Sequence, residues 1–186
     1  MDRRLLTLAA AAAALGLAAG CGDDGGGGTS VPAPSATRRL TVSSPAFTEG
    51  GTIPRRYTCD GEDVSPPLTV TGVPAATTTL AVLLQDPDAP HGTFTHWLLW
   101  NADPHETQWP AGQPPQGATE GRNGFRKTGY GGPCPPKGSE PHHYVLSVYA
   151  ADRTLDLPST ASADDVKRAL TGHTLASGTL TGRYGR

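Results

Sequence analysis

Two stretches of this chain, Leu80-Ala81-Val82-Leu83-Leu84 and Tyr144-Val145-Leu146-Ser147-Val148-Tyr149-Ala150, are apolar or small at both odd and even positions. Successive side chains of a strand point to opposite faces, so such runs are stable only where both faces are covered. The chain must therefore build layers around these two strands. Around them lie shorter runs bounded by Gly, Pro and Asp: 40–42, 68–70 and 95–100 read as strands, and 174–181 returns to a strand-like pattern. The 24 glycines and 18 prolines favour many turns over long helices. One helix is expected: Ser162 can cap it, Asp164 and Asp165 sit in its first turn, Val166, Ala169 and Leu170 are its apolar residues, and Gly172 stops it. The polar passage from Asp103 to Gly132 reads as loops around one end of a sheet. The fold class is mainly β, as one domain over residues 40–186.

The first 39 residues belong to something else. Arg3-Arg4 precedes an apolar run, Leu5 to Ala19, that is short for a membrane span and reads as a secretory signal over residues 1–20. The sequence Leu17-Ala18-Ala19-Gly20-Cys21 resembles the lipobox of bacterial lipoproteins, which implies lipidation at Cys21. Acyl chains there would hold the protein on the membrane, facing away from the cytoplasm. Residues 21–39, rich in Gly, Ser and Pro, contain little that can pack and read as a flexible linker.

Several function classes are excluded early. The net charge is −2 and the three lysines are well separated, so no nucleic-acid footprint exists. There is no GxSxG elbow, HExxH pair, P-loop, CxxC pair or dinucleotide fingerprint. What remains is a set of polar residues at strand ends. In Asp86-Pro87-Asp88-Ala89-Pro90 the prolines cannot donate to a sheet ladder, so they end the strand and fix the turn carrying both carboxylates. In His142-His143-Tyr144 the period of two puts His142 and Tyr144 on one face and His143 on the other. Gly131-Gly132-Pro133-Cys134-Pro135-Pro136-Lys137-Gly138 is a rigid, low-bulk loop whose amides can approach an anion.

Asp86-Pro87-Asp88-Ala89-Pro90 with His96-Trp97, and Gly132-Pro133-Cys134-Pro135-Pro136 with His142-x-Tyr144, resemble the two signature blocks of the phosphatidylethanolamine-binding protein family. Thr58-Cys59-Asp60-Gly61-Glu62-Asp63, Gly172-His173 and Gly182-x-Tyr184-x-Arg186 resemble its bacterial, Raf kinase inhibitor-like branch. The resemblance implies a large antiparallel sheet packed on a smaller one, a few peripheral short helices, and a small pocket for phosphate-type anions. Matched position by position, that pocket falls on Asp86, Asp88, His96, Gly132, His142 and Tyr144. His143 stands where the family often has arginine. Cys59 and Cys134, the only thiols besides Cys21, form a disulfide or remain free; the sequence leaves both open.

The expected function is a membrane-anchored, extracytoplasmic binding protein for a phosphorylated small molecule or phospholipid headgroup, without catalysis or cofactor, regulating an envelope enzyme. In it Asp86 accepts from an imidazole, His96 and His142 donate to phosphate with the glycine-loop amides in support, and Asp88 meets an ammonium or orients its loop. Two alternatives stand beside it: a protein-directed inhibitor of a protease or kinase, and a metal-dependent hydrolase with Asp86, Asp88, His96 and His142 as ligands.

Overall fold

The computed structural model describes residues 31–186. The signal, Cys21 and the first part of the linker lie outside the described residues. Nine strands and one α-helix follow: β1 Arg38–Arg39, β2 Thr41–Ser43, β3 Leu68–Thr71, β4 Thr79–Asp86, β5 Phe94–Ala102, β6 Gln108–Trp109, β7 Thr119–Glu120, β8 His142–Ala151, α1 Ala163–Leu170 and β9 Thr174–Tyr184. A single 3-10 turn spans Arg55–Tyr57. Six strands make the large sheet in the order β1-β9-β8-β4-β5-β7, and three make the small one in the order β2-β3-β6.

The two runs apolar on both faces become β4 and β8, the middle of the large sheet, paired antiparallel from Thr79↔Ala151 to Gln85↔Val145. One face of this sheet packs Leu80, Val82, Leu84, Leu146 and Val148 against Val42, Leu68, Val70 and Trp109 of the small sheet. The opposite face packs Ala81, Leu83, Leu98 and Trp100 against Val166 and Leu170 of α1 and the preceding Leu155 and Ala161. Each fully buried aliphatic side chain is worth about 1.5–3 kcal/mol, so the pattern that demanded cover also supplies most of the stabilisation. The helix begins as its composition implies: Ser162 Oγ accepts the Asp165 N–H and the Asp165 carboxylate accepts the Ser162 N–H, a reciprocal cap.

Three expectations change. The large sheet is mixed rather than wholly antiparallel, because β1 pairs parallel to β9, Arg38↔Ala176 and Arg39↔Ser177. For the same reason the linker ends before residue 39: Arg38 and Arg39 are strand, and Pro34 is already buried. Their pairing uses backbone groups alone while both side chains stay exposed, so no apolar pattern announces it. Finally, the passage from Asp103 to Gly132 is not all loop, since it contributes β6 to the small sheet and β7 to the edge of the large one.

Candidate functional site

Asp86 is the last residue of β4 and His142 the first of β8, and antiparallel pairing brings both to the same end of the sheet. Alternation along the strands then turns Asp86, His142 and Tyr144 toward the face that carries Leu84 and Leu146. The result is a buried carboxylate–imidazole hydrogen bond: His142 Nδ1 lies 2.8 Å from Asp86 Oδ2, with side-chain exposures of 9% and 4%. The other Asp86 oxygen accepts the Asp88 N–H at 2.9 Å and closes the acidic turn. An ionised carboxylate only accepts, so Nδ1 carries the proton and His142 offers Nε2, a donor once the ring is doubly protonated.

Simple alternation would send His96 to the wrong face. Trp97 and Leu99 face the small sheet whereas Leu98 and Trp100 face α1, so a regular β5 would turn His96 toward the helix. The register shows why it does not: Leu84 pairs with Trp97 and Gln85 with Thr95, leaving His96 as the extra residue of a β-bulge. Its ring consequently lies edge-on to Tyr144, centroids 5.2 Å apart. His96 Nδ1 donates to the Gly131 carbonyl at 2.8 Å, and the Gly131 N–H returns a bond of 2.9 Å to the His96 carbonyl. Burial holds the His96 pKa below the ordinary imidazole value, against the opposing pull of the Gly131 carbonyl. The neutral ring presents Nε2 as an acceptor. In this state Nδ1 is committed to the Gly131 carbonyl, and Nε2 is the ring atom left to meet a ligand.

Tyr144 is 1% exposed and its hydroxyl has no hydrogen-bond partner among the described residues. Burial, reinforced by the nearby Asp86 carboxylate, raises its pKa, so the group stays a phenol. It lies near Asp86 and the Cys134 backbone without a well-formed bond to either. An orphan hydroxyl in such a place carries a cost unless something polar meets it.

The remaining two candidates serve the frame. Asp88 is half exposed, and its Oδ2 accepts both the backbone N–H (2.8 Å) and the ring Nδ1 (2.7 Å) of His143, across the strand from His142. Those two bonds, the backbone one first, lower the Asp88 pKa. Of the two roles expected for Asp88, the geometry matches orienting the loop, with the His143 ring as its partner. Gly132 is corrected more sharply. Its N–H is taken by Asp63 Oδ1 at 2.7 Å, and a Cβ there would lie 2.6 Å from both that oxygen and the Tyr57 carbonyl. The Gly131 and Gly138 amides are likewise spent, on His96 and Arg186 carbonyls, and three prolines of the loop have none. The glycine loop is a wall of the site, and these amides are not available to an anion.

That wall is tied down by residues whose roles the sequence left open. Cys59 and Cys134 are joined by a disulfide. Beside it the Cys59 N–H donates to the Pro133 carbonyl, and the Tyr130 hydroxyl donates to the Tyr57 carbonyl at 2.6 Å. Asp60 accepts from the Tyr184 hydroxyl (2.6 Å) and pairs with Arg186, and the Tyr184 bond is the main reason its pKa is lowered. Asp60 and Asp63 stood in the quoted Thr58–Asp63 block, but only the third dimension shows what they hold. Among the described residues no three His, Cys, Asp or Glu side chains gather as metal ligands. Asp86 and Asp88 are instead divided between separate histidines. A surface hollow of about 420 Å³, edged by Val70, Pro74 and Thr107, lies apart from these groups. Its lining is mostly small and apolar, so the buried polar cluster is the better candidate.

The comparisons agree with this architecture. The phosphatidylethanolamine-binding protein model matches residues 43–185, and the chain belongs to that family. A UPF0098 protein of Pyrococcus horikoshii is 45% identical over 154 residues, 79% of this chain and 77% of its own. A Mycobacterium tuberculosis protein provisionally named lipoprotein LppC is 37% identical over 157 residues, 82% of this chain and 77% of its own. Two crystal structures superpose with a TM-score of 0.75. The phosphatidylethanolamine-binding protein homologue CT736 of Chlamydia trachomatis is 31% identical and matches 81% of this chain and 99% of its own. E. coli YbcL, described as a member of the mammalian PEBP family, is 33% identical and matches 80% and 99%.

Proposed function

We propose that this chain is a non-catalytic binding protein for phosphate-type anions, either phosphorylated small molecules or phospholipid headgroups, held outside the cytoplasm by a lipid on Cys21. The observation that carries the reading is the buried Asp86–His142 pair beside the unpartnered Tyr144 hydroxyl. The carboxylate holds the imidazole and supports its second proton; the ring then offers Nε2–H, and the phenol a second donor, to phosphoryl oxygens. His96 Nε2, an acceptor, complements them by taking a bond from a P–OH or from a headgroup ammonium. Membership of the family and the name of the mycobacterial relative support the ligand class and the anchor. No nucleophile with an adjacent base is needed for this role, and regulation of an envelope enzyme would follow from ligand occupancy.

Calorimetry with phosphoethanolamine tests it. His142→Ala should abolish measurable binding, and Tyr144→Phe should weaken it about tenfold by removing the phenol donor. Wild-type affinity retained in both variants would remove this pair of donors from the mechanism.

A further inference from the structure

Phe125 is the one large hydrophobic residue among those described that remains exposed, at 41%. A single exposed ring means little by itself, but this one is held in place at the candidate site. Its ring packs against Phe94, centroids 4.7 Å apart, and edge-on to His96 at 5.4 Å. His96 in turn meets Tyr144. The rings thus run in contact from the surface to the orphan hydroxyl.

The loop is shaped to keep the ring there. Buried Asn123 accepts the N–H groups of Phe125 (3.0 Å) and Lys127 (3.1 Å) through its side-chain oxygen and donates to the Gly129 carbonyl. Arg126 takes a left-handed conformation at φ 65°, uncommon for a side-chain-bearing residue. Two glycines make room: a Cβ on Gly131 would lie 2.7 Å from the Phe125 ring, and one on Gly124 would lie 2.5 Å from the Phe94 ring. A turn this constrained could expose any polar residue, yet it presents a phenyl face beside the buried polar cluster. A fixed aromatic surface loses little entropy on binding and gains by stacking.

Resting on the anion-site reading above, we propose that Phe125, backed by Phe94, is the specificity wall of this site. It selects phosphate esters that carry a flat or apolar group over bare phosphate. The phosphoryl end lies toward His142 and Tyr144, and the organic end lies on the Phe125 ring. Free aryl phosphates and the glycerol-acyl part of a phospholipid share this chemistry.

The test is calorimetry of the full chain with inorganic phosphate, phenyl phosphate and dihexanoyl phosphatidylethanolamine. The wild type should bind phenyl phosphate roughly tenfold more tightly than inorganic phosphate. Phe125→Ala should erase that advantage while leaving inorganic phosphate unchanged, and Phe125→Leu should retain part of it for the lipid more than for the aryl ester. Preference of the wild type between the two esters distinguishes a soluble from a membrane-derived ligand. An equal loss for all three probes in Phe125→Ala, or an advantage that survives it, overturns the specificity wall while the anion site stands. Failure of the wild type to bind inorganic phosphate and both esters removes the anion site itself, and this inference with it.

Discussion

His96 is the residue at which local pattern and final position part company. Its neighbours in the chain alternate between two cores, and only the bulge opposite Leu84 and Gln85 lets it share a face with Tyr144. The burial that follows favours the neutral ring, which has a measurable consequence for stability. With the folded pKa held below the ordinary value, the unfolded chain takes up the proton first as pH drops below about 6.5. His96 is therefore tolerated at no cost above that pH and destabilises the fold increasingly as pH falls toward its folded value. Asparagine can keep the bond to the Gly131 carbonyl without titrating. Urea midpoints of wild type and His96→Asn at pH 7.5 and 5 should show the wild type losing more stability on acidification; parallel losses would mean that the ring titrates freely in the folded state.

Among the elements, α1 is the one whose limits are written in its own residues. Ser162, Asp165 and Gly172 mark its ends through local chemistry, and Gly172 takes φ 80° just beyond the last turn. Hydrogen bonds from Ser162, aided by Arg168, push the Asp165 pKa down to about 2. A depressed carboxylate contributes fully above its unfolded pKa and loses its contribution as pH falls through the folded one. Asp165→Ala should thus cost about 1 kcal/mol at pH 7, measured by chemical denaturation. The gap should close between pH 4 and pH 2. A constant offset across that window would mean that the cap works by shape and not by charge. β1 is the opposite case: a strand made by backbone pairing on an exposed edge, with nothing in Arg38-Arg39 to distinguish it from the linker before it.

At the scale of the whole molecule the disulfide closes a loop of 75 residues across the site wall. The chain-entropy model gives about 4 kcal/mol for such a loop, or a drop of roughly 8–16 °C in Tm for a domain of this size when it is removed. The same wall is also held by Gly132 to Asp63, Tyr130 to Tyr57 and Cys59 to Pro133. Replacing both Cys59 and Cys134 by serine should therefore lower Tm by that amount while leaving phosphoethanolamine affinity nearly intact. A collapse of affinity with little change in Tm would make the bridge part of the site's geometry and not its reinforcement.

The central strands, the helix and the pairing of Asp86 with an imidazole were legible in the chain itself, because each rests on contacts that periodicity or adjacent residues specify. A run apolar on both faces can only be interior, and a carboxylate and a histidine at the ends of two antiparallel neighbours meet at one end of the sheet. The face on which His96 stands, the capture of the Gly132 amide by Asp63, the division of Asp88 to His143 and the seating of Phe125 against Gly131 were decided by the tertiary structure. Each depends on a one-residue shift in register or on segments tens of residues apart. A short-range pattern has no means of encoding a distance that only the closed fold creates.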